Sequence, residues 1–228
     1  MWRERRDELH PGGFELVTIA LDIGGIDAAG PFIERAQPTH PSLVDDRHAL
    51  DELFGVVNVP SGIWIDEEGM IVRPPEPAWP GRSVVSKIIT GEMPPDLDPY
   101  LVATLQESRR IRHDYEQYPR ALREWVATGA FALSRDDVLR RSRPRPPEHS
   151  QAAAHFEIGQ HLHRAGFEAD AIVHFREAHR LQPDNWTYKR QAWILVHPFQ
   201  GPTEHYDGDW VSDVREIGAE NYYPPLEM

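Results

Sequence analysis

Residues Phe54 to Arg73 read FGVVNVPSGIWIDEEGMIVR and decide the fold of the first part of the chain. A helix end runs into Val59-Pro60, and an apolar segment from Gly62 to Asp66 follows. An acidic turn ending in Gly69 leads to a second apolar segment, Met70 to Arg73. Two such segments joined by a short glycine turn are typical of a β-hairpin. The stretch therefore predicts two antiparallel strands with a proline at the entrance to the first.

The residues before this hairpin predict an α/β arrangement. A helix is expected over Trp2 to Leu9, ended by the breakers at residues 10–13. The segment from Phe14 to Asp22 is almost continuously apolar, which favours a strand buried on both faces in a parallel sheet. A glycine loop and a helix from about Pro31 follow.

A short extended segment at residues 41–46 and a second helix complete this part. The helix has Leu50, Leu53 and Phe54 on one face.

The rest of the chain predicts helices separated by proline-rich segments. Residues 76–97 form a connector with one helix around Ser83 to Thr90. Asp98 caps a helix that runs to about Gln117, and Pro119 starts another that ends at Gly129. Ser134 caps a third, short helix. The domain boundaries that follow are 1–75, 76–97, 98–141, 150–197 and an aromatic tail, 198–228.

The tail is rich in turns. Its Trp210, Tyr222 and Tyr223 are costly to leave in water and therefore predict a packed segment. The alternative is that its last residues form a binding peptide.

Composition excludes several functions. The formal net charge of −13 argues against nucleic acid as a main partner, because phosphate neutralisation needs a basic surface. No run of about 18 apolar residues is present, so no membrane span is expected. The absence of cysteine excludes disulfides, cysteine metal sites and thiol chemistry by these residues. Taken alone, the chain predicts a cytoplasmic location, and a preceding signal segment would make it periplasmic.

The order of elements resembles the thioredoxin fold after its first strand. Residues 53–72, LFGVVNVPSGIWIDEEGMIV, resemble the matching segment of TlpA- and ResA-like redoxins, and the resemblance covers residues 2–73. It implies a cis bond between Val59 and Pro60. It also implies that backbone groups near Val59, Pro60 and Ser61 pair with an extended substrate peptide. An ordinary trans-proline that opens a strand is the alternative.

The sequence departs from this family where the chemistry occurs. In the family a Cys-x-x-Cys, or a single peroxidatic Cys, follows the first strand, and a helix N-terminus makes the thiol reactive. Neither that strand nor that turn is present here. We therefore expect an incomplete thioredoxin-like α/β fold with its first strand absent, followed by an all-α module.

Two explanations for the missing strand remain open. One is that Met1 is not the natural start. A ResA-like subgroup carries the motif WAxxUGSxxW, where U is selenocysteine. The selenocysteine codon is normally read as a stop, so the chain as read from the gene would begin after it. Trp2 would then be the last residue of that motif. Trp2 is a substrate-binding candidate for this reason. The other explanation is that the aromatic tail or a second copy of the chain fills the gap.

Residues 152–185 resemble a tetratricopeptide repeat, a helix-turn-helix of about 34 residues. The small residues let two helices approach closely, and the larger ones fill the space between them. One repeat needs neighbours, and residues 185–196 are expected to form the next helix. The residues that match the repeat are Gly159, Leu162, Gly166, Ala171, Phe175, Ala178 and Pro183.

The histidines do not predict a metal site. His161 and His163 are two apart and point to different sides of a helix. His155, His174 and His179 share the repeat but lack the i, i+4 spacing of a helical metal pair. Solvated or capping histidines are therefore expected. A metal chaperone is a third hypothesis for the whole chain.

The resemblances imply a redoxin. The parent protein would be a thiol- or selenol-disulfide oxidoreductase or a peroxide reductase, with its catalytic residue outside this chain and no cofactor. The alternative is a non-catalytic adaptor. Either would bind a protein or peptide partner through the repeat and the thioredoxin-like face, and the helical part could instead form a homodimer.

Overall fold

The computed structural model describes residues 1–82, 89, 91, 93, 96–142 and 144–228. Contacts divide the chain into two compact units. The first comprises Met1–Gly81, Asp114–Arg145 and Leu226–Met228, and the second comprises Arg82–His113 and Pro146–Pro225. The predicted mixture of an α/β part and a C-terminal helical part is confirmed.

The first unit contains two pairs of strands with helices around them. Its elements are α1 (Trp2–Leu9), β1 (Thr18–Leu21), α2 (Gly25–Ala36), β2 (Ser42–Asp45), α3 (Ala49–Phe54), β3 (Ser61–Ile65), β4 (Ile71–Pro77), α5 (Gln117–Thr128) and α6 (Arg135–Arg141). A 3-10 turn at His10–Gly12 ends α1, as the breaker residues predict.

Each strand pairs with one neighbour. β1 and β2 are parallel, with Thr18 opposite Ser42. β3 and β4 form the predicted antiparallel hairpin, with Ser61 opposite Pro77 and an irregular register between Gly62 and Ile65. Within the described part of the chain these are two separate two-stranded sheets, and no complete thioredoxin-type sheet forms.

Two expectations for this unit are wrong. The strand expected over Phe14 to Asp22 is only four residues long and is not buried on both faces, since Val17 is 51% and Ile19 39% exposed. Among the residues that the structure describes, β1 pairs with β2 alone, so it is not an inner strand of a larger sheet. The helix that carries Leu50, Leu53 and Phe54 on one face is present as α3, and Leu53 is 78% exposed. Helix α2 begins before Pro31, which removes only one intrahelical hydrogen bond and has a helical φ.

Aromatic packing between the hairpin and α5 forms the core of the first unit. Trp64 is 3% exposed, stacks on Trp125 with ring centroids 4.8 Å apart, and donates its indole N–H to the Tyr118 hydroxyl at 3.0 Å. The Arg73 guanidinium lies 5.4 Å from the Trp64 ring and binds Glu76 through two hydrogen bonds of 2.6 and 2.7 Å. The buried cation is therefore fully paired, which a buried charge requires.

The second unit is helical. Its elements are α4 (Pro99–Arg110), α7 (Pro147–Arg164), α8 (Glu168–Leu181), α9 (Trp186–Val196), α10 (Trp210–Ile217) and a 3-10 turn (Ala219–Asn221). Asp98 caps α4 as predicted, but that helix ends at Arg110 rather than near Gln117, because Ile111 is extended. By its contacts α4 belongs to this unit, whereas α5 and α6 belong to the first. The helix expected around Ser83 to Thr90 lies mostly outside the described residues.

The tail packs as the sequence predicts and contains a helix that was not predicted. Trp210 and Tyr222 are buried, and their rings meet edge to face. Asp209 and Ser212 form a capping box at the start of α10. Among the described residues no helix has the length and apolarity needed to cross a membrane.

The contact between Gly62 and Tyr118 yields a stability prediction. A Cβ at Gly62 would lie 2.6 Å from the Tyr118 hydroxyl and 2.9 Å from the Ala78 Cβ. Gly62→Ala should therefore lower the free energy of unfolding by about 1–3 kcal/mol in denaturant titrations. In a Tyr118→Phe background the cost should be smaller, because one of the two clashes is gone.

Gly30→Ala is the matched control, since its Cβ would lie at an ordinary 3.5 Å from the Ile26 side chain within α2. It should be neutral or stabilising. Equal losses in the two alanine variants would show that close packing at Gly62 is not the cause.

Candidate functional site

The predicted substrate residues of the hairpin lie at the entrance of β3. The Val59–Pro60 peptide bond is cis, as predicted. The Pro60 carbonyl accepts a hydrogen bond from the Ala78 N–H at 3.2 Å, and the Ser61 hydroxyl donates to the Glu76 carbonyl at 3.2 Å. The Val59 N–H donates to the Asn58 side chain at 2.9 Å. These three groups are engaged within the unit, and pairing of the neighbouring backbone with a peptide stays a prediction.

Tyr118 connects Trp2 to this entrance. Trp2 meets the Tyr118 ring edge to face, with centroids 6.2 Å apart. The Tyr118 hydroxyl faces Gly62, the residue after Ser61. Burial raises the pKa of Tyr118, so the phenol stays neutral and accepts the Trp64 N–H. The structure therefore brings Trp2 and the start of β3 to one aromatic cluster, in which Tyr118 was not foreseen.

β1 has one edge without a strand partner. The Thr18 N–H donates to the Pro41 carbonyl at 3.0 Å, and the Asp22 N–H donates to Asp45 at 3.3 Å. Because alternate residues of a parallel strand point their N–H groups to opposite edges, those of Ile19 and Leu21 face away from β2. In the described part of the chain no strand lies on that side.

The hairpin of β3 and β4 also has an edge that can accept another strand. The prolines of β4 indicate that this edge belongs to β3. Residues 74, 75 and 77 of β4 are prolines without an N–H group, which is typical of an edge strand. The Leu133 N–H already donates to the Val72 carbonyl at 3.0 Å. A further strand can therefore pair only with β3, along the edge that no described strand covers.

The residues matched to the tetratricopeptide pattern form a tight helical hairpin of α7 and α8. Gly159 lies against Phe175, and a Cβ there would be 2.7 Å from the phenyl ring. Ala171, Phe175 and Ala178 are at most 1% exposed. Leu162 is half-buried, Gly166 has a φ of +83° in the turn, and Pro183 is exposed after α8. The hairpin and the following helix are confirmed, while membership of the repeat family stays a prediction.

Two histidines meet across this hairpin. The Nδ1 atoms of His155 and His174 are 3.0 Å apart, a hydrogen-bond distance at which one ring donates and the other accepts. Among the described residues no group of three or more histidine, cysteine, aspartate or glutamate side chains is arranged to hold a metal ion.

A cavity of about 230 Å³ lies between α8, α9 and the segment that starts at Tyr206. Trp193 and His179 line it, with ring centroids 6.0 Å apart. Trp193 is 1% exposed. Neither Trp193 Nε1 nor His179 Nε2 has a hydrogen-bond partner among the described residues. The expectation that His179 is solvated or caps a helix is therefore wrong, since packing of α9 on α8 covers it.

Three cations and two carboxylates also line this cavity. Lys189 pairs with Asp213 at 2.7 Å, and both side chains are less than one fifth exposed. Arg176 pairs with Asp207 at 3.2 Å. The third cation, Arg180, pairs with a carboxylate outside the lining. The lining therefore carries one excess positive charge in a chain whose formal net charge is −13.

Burial, followed by the positive charge of Lys189, lowers the pKa of His179 to about 3. A hydrogen bond to the Tyr188 backbone acts in the opposite direction and uses the other ring nitrogen, Nδ1. His179 is thus neutral near pH 7, and its Nε2 is a hydrogen-bond acceptor. Trp193 Nε1 is a donor only. One buried acceptor and one buried donor next to the cavity therefore have no partner among the described residues.

Comparison of the chain with protein-family models, with curated proteins and with solved structures finds no match. Function must therefore be argued from the geometry. Sequence reasoning missed Trp193 and His179 as a pair, because only the packing of two successive helices brings them together.

The pKa of His179 yields a pH prediction. In the unfolded chain a histidine has a pKa of about 6.5. The folded pKa lies below that value, so the unfolded state binds more protons, and stability is lost as the pH falls from about 6.5 toward 3. Between pH 7 and pH 5 this residue alone should cost about 2 kcal/mol.

Denaturant titrations of wild type and His179→Phe at both pH values measure this difference. The variant should lose about 2 kcal/mol less than the wild type on acidification. His161→Gln, which removes an exposed histidine from α7, should behave as wild type. An equal pH response in wild type and His179→Phe would contradict the assignment.

Proposed function

We propose that this chain is part of a thioredoxin-like redoxin of the TlpA/ResA type. In this proposal a strand from outside residues 1–228 fits between β1 and β3 and carries the reactive group. The whole protein would be a thiol- or selenol-disulfide oxidoreductase or a peroxide reductase, and its helical unit would bind a protein partner.

The observation that carries the proposal is the pairing pattern of the four strands. A parallel pair and an antiparallel hairpin are what remains when the inner strand is taken out of a mixed sheet of the thioredoxin type. Both β1 and β3 offer an edge that no described strand covers, and the prolines of β4 exclude its outer edge. Pairing would also cover apolar side chains that are now exposed, such as Val17 and Ile19.

In this proposal the reactive thiol or selenol lies outside residues 1–228. Disulfide exchange and peroxide reduction need a thiolate or selenolate nucleophile, and residues 1–228 contain no cysteine. A nucleophile at the end of the inner strand would be next to the entrance of β3. There Val59, Pro60 and Ser61 would form one wall of the substrate site and Trp2 another.

The second candidate is a non-catalytic adaptor. The absence of cysteine and the well-packed hairpin of α7 and α8 favour it, because both suit a chain that only binds a partner. A thioredoxin-like surface that has lost its catalytic group would then bind a peptide next to the helical repeat.

The DNA upstream of the Met1 codon tests the redoxin proposal. It should encode, in frame, an apolar strand followed by Cys-x-x-Cys or by a TGA codon in a WAxxUGSxxW context. The extended protein, with cysteine in place of any selenocysteine, should then reduce a disulfide or a peroxide in the presence of a dithiol. The 228-residue chain should show no turnover.

The matched control is the extended protein with its nucleophilic cysteine changed to serine, which should be folded and inactive. Absence of the upstream segment, or turnover by the cysteine-free chain, would contradict the proposal. An extended protein that carries the segment but is inactive would favour the adaptor.

A further inference from the structure

The last three residues of the sequence, here called the terminal segment, are bound by the first unit. By its contacts Leu226–Met228 belongs to that unit, whereas the residues just before it belong to the second. Tyr222 and Tyr223 are buried in the second unit, and Pro224 and Pro225 follow them. Proline favours an extended backbone. The terminal segment is neither helix nor strand, so it is held by the contacts that side chains of the first unit make to it.

Two of these side chains bind successive backbone carbonyls. The Arg73 guanidinium donates to the Glu227 carbonyl at 3.1 Å, and the Gln117 amide donates to the Met228 carbonyl at 2.9 Å. Bonds to the backbone do not depend on which amino acid supplies the carbonyl. A third contact depends on the side chain, because the Arg141 guanidinium pairs with the Glu227 carboxylate at 2.6 Å. The site therefore recognises an extended backbone and one acidic residue.

Arg73 requires the acceptor that the terminal segment supplies. This residue is 1% exposed. Its guanidinium donates twice to Glu76, once to the Phe131 carbonyl and once to the Glu227 carbonyl, which uses four of its five N–H groups. A buried cation is costly when its hydrogen bonds are lost. The position of the Glu227 carbonyl must therefore be filled by another acceptor whenever the terminal segment leaves.

The contacts of the terminal segment are of a kind that a separate peptide can replace. The Glu227 side chain is 68% and the Arg141 side chain 36% exposed, and an ion pair this exposed contributes little to binding. The neutral hydrogen bond from Gln117 also contributes modestly, because water can take its place. A peptide with the same groups can therefore compete for the site.

We propose that this surface of the first unit binds an extended acidic segment of a partner protein, and that residues 226–228 occupy it as an intramolecular competitor. The partner places two successive carbonyls against Arg73 and Gln117, and a carboxylate against Arg141. The positive charge of Arg141 favours an acidic residue at this position in a chain whose formal net charge is −13. The inference uses neither the strand edges nor the entrance of β3, so it does not rest on the redoxin proposal.

The absence of cysteine allows a direct test on the full chain. A nitroxide label on Met228→Cys reports the state of the terminal segment by electron paramagnetic resonance, since a bound label moves slowly and a released one moves fast. Without peptide the label should be mainly immobilised. The peptide Pro-Pro-Leu-Glu-Met, residues 224–228, should release it, with half release at about millimolar peptide because a tethered competitor has an effective concentration of that order.

Variants of the labelled chain locate the site. Arg141→Gln should raise the ratio of mobile to immobilised label about two- to fivefold. Gln117→Leu should raise it about two- to tenfold. Arg140→Gln is the matched control, because it removes one positive charge from the same helix but pairs with Asp137, and it should leave the spectrum unchanged. A peptide with glutamine in place of glutamate should compete about two- to fivefold more weakly.

Four results would overturn the inference. A label that is mobile without peptide would show that the terminal segment does not occupy the surface. A label that stays immobilised at saturating peptide would show that the segment is a fixed part of the unit. Equal spectra for the Arg141→Gln and Arg140→Gln variants would place the segment elsewhere. Equal competition by the glutamate and glutamine peptides would show that an acidic residue is not recognised.

Discussion

The first unit is governed by the need of every strand edge for hydrogen-bond partners. In the described ranges of the chain, β1 has a strand partner on one side only, and so does β3. The prolines of β4 remove the donors that would let the hairpin grow outward. These constraints leave a single place for another strand. The exposed apolar side chains of Val17 and Ile19 agree with this, because a strand of such composition is normally covered on both faces.

The second unit is held together in a different way. Small residues allow α7 and α8 to approach closely, and Phe175 packs into the space above Gly159. Packing of α9 on α8 buries Trp193 and separates His179 Nε2 from water. Burial therefore has two consequences here. It keeps His179 neutral near pH 7, and it leaves one donor and one acceptor without a partner among the described residues.

Local signals in the sequence predicted most of the elements but not their tertiary partners. The hairpin, the caps at Asp98 and Ser134, and the helical repeat hairpin follow from turn chemistry and spacing. Asp209 and Ser212 have the spacing of a capping box, but α10 was not predicted because the surrounding residues are rich in turn formers. The exposure of β1, the grouping of helices into units and the cavity could not be read locally, because each depends on contacts between distant segments.

Residue-resolved amide hydrogen exchange on the monomeric chain tests the central claim most directly. If β1 flanks an absent strand, the N–H groups of Ile19 and Leu21 face an open edge and exchange rapidly. The N–H of Ala20, on the edge toward β2, exchanges slowly. Slow exchange at all three positions would show that the edge is already paired within this chain and would contradict the claim.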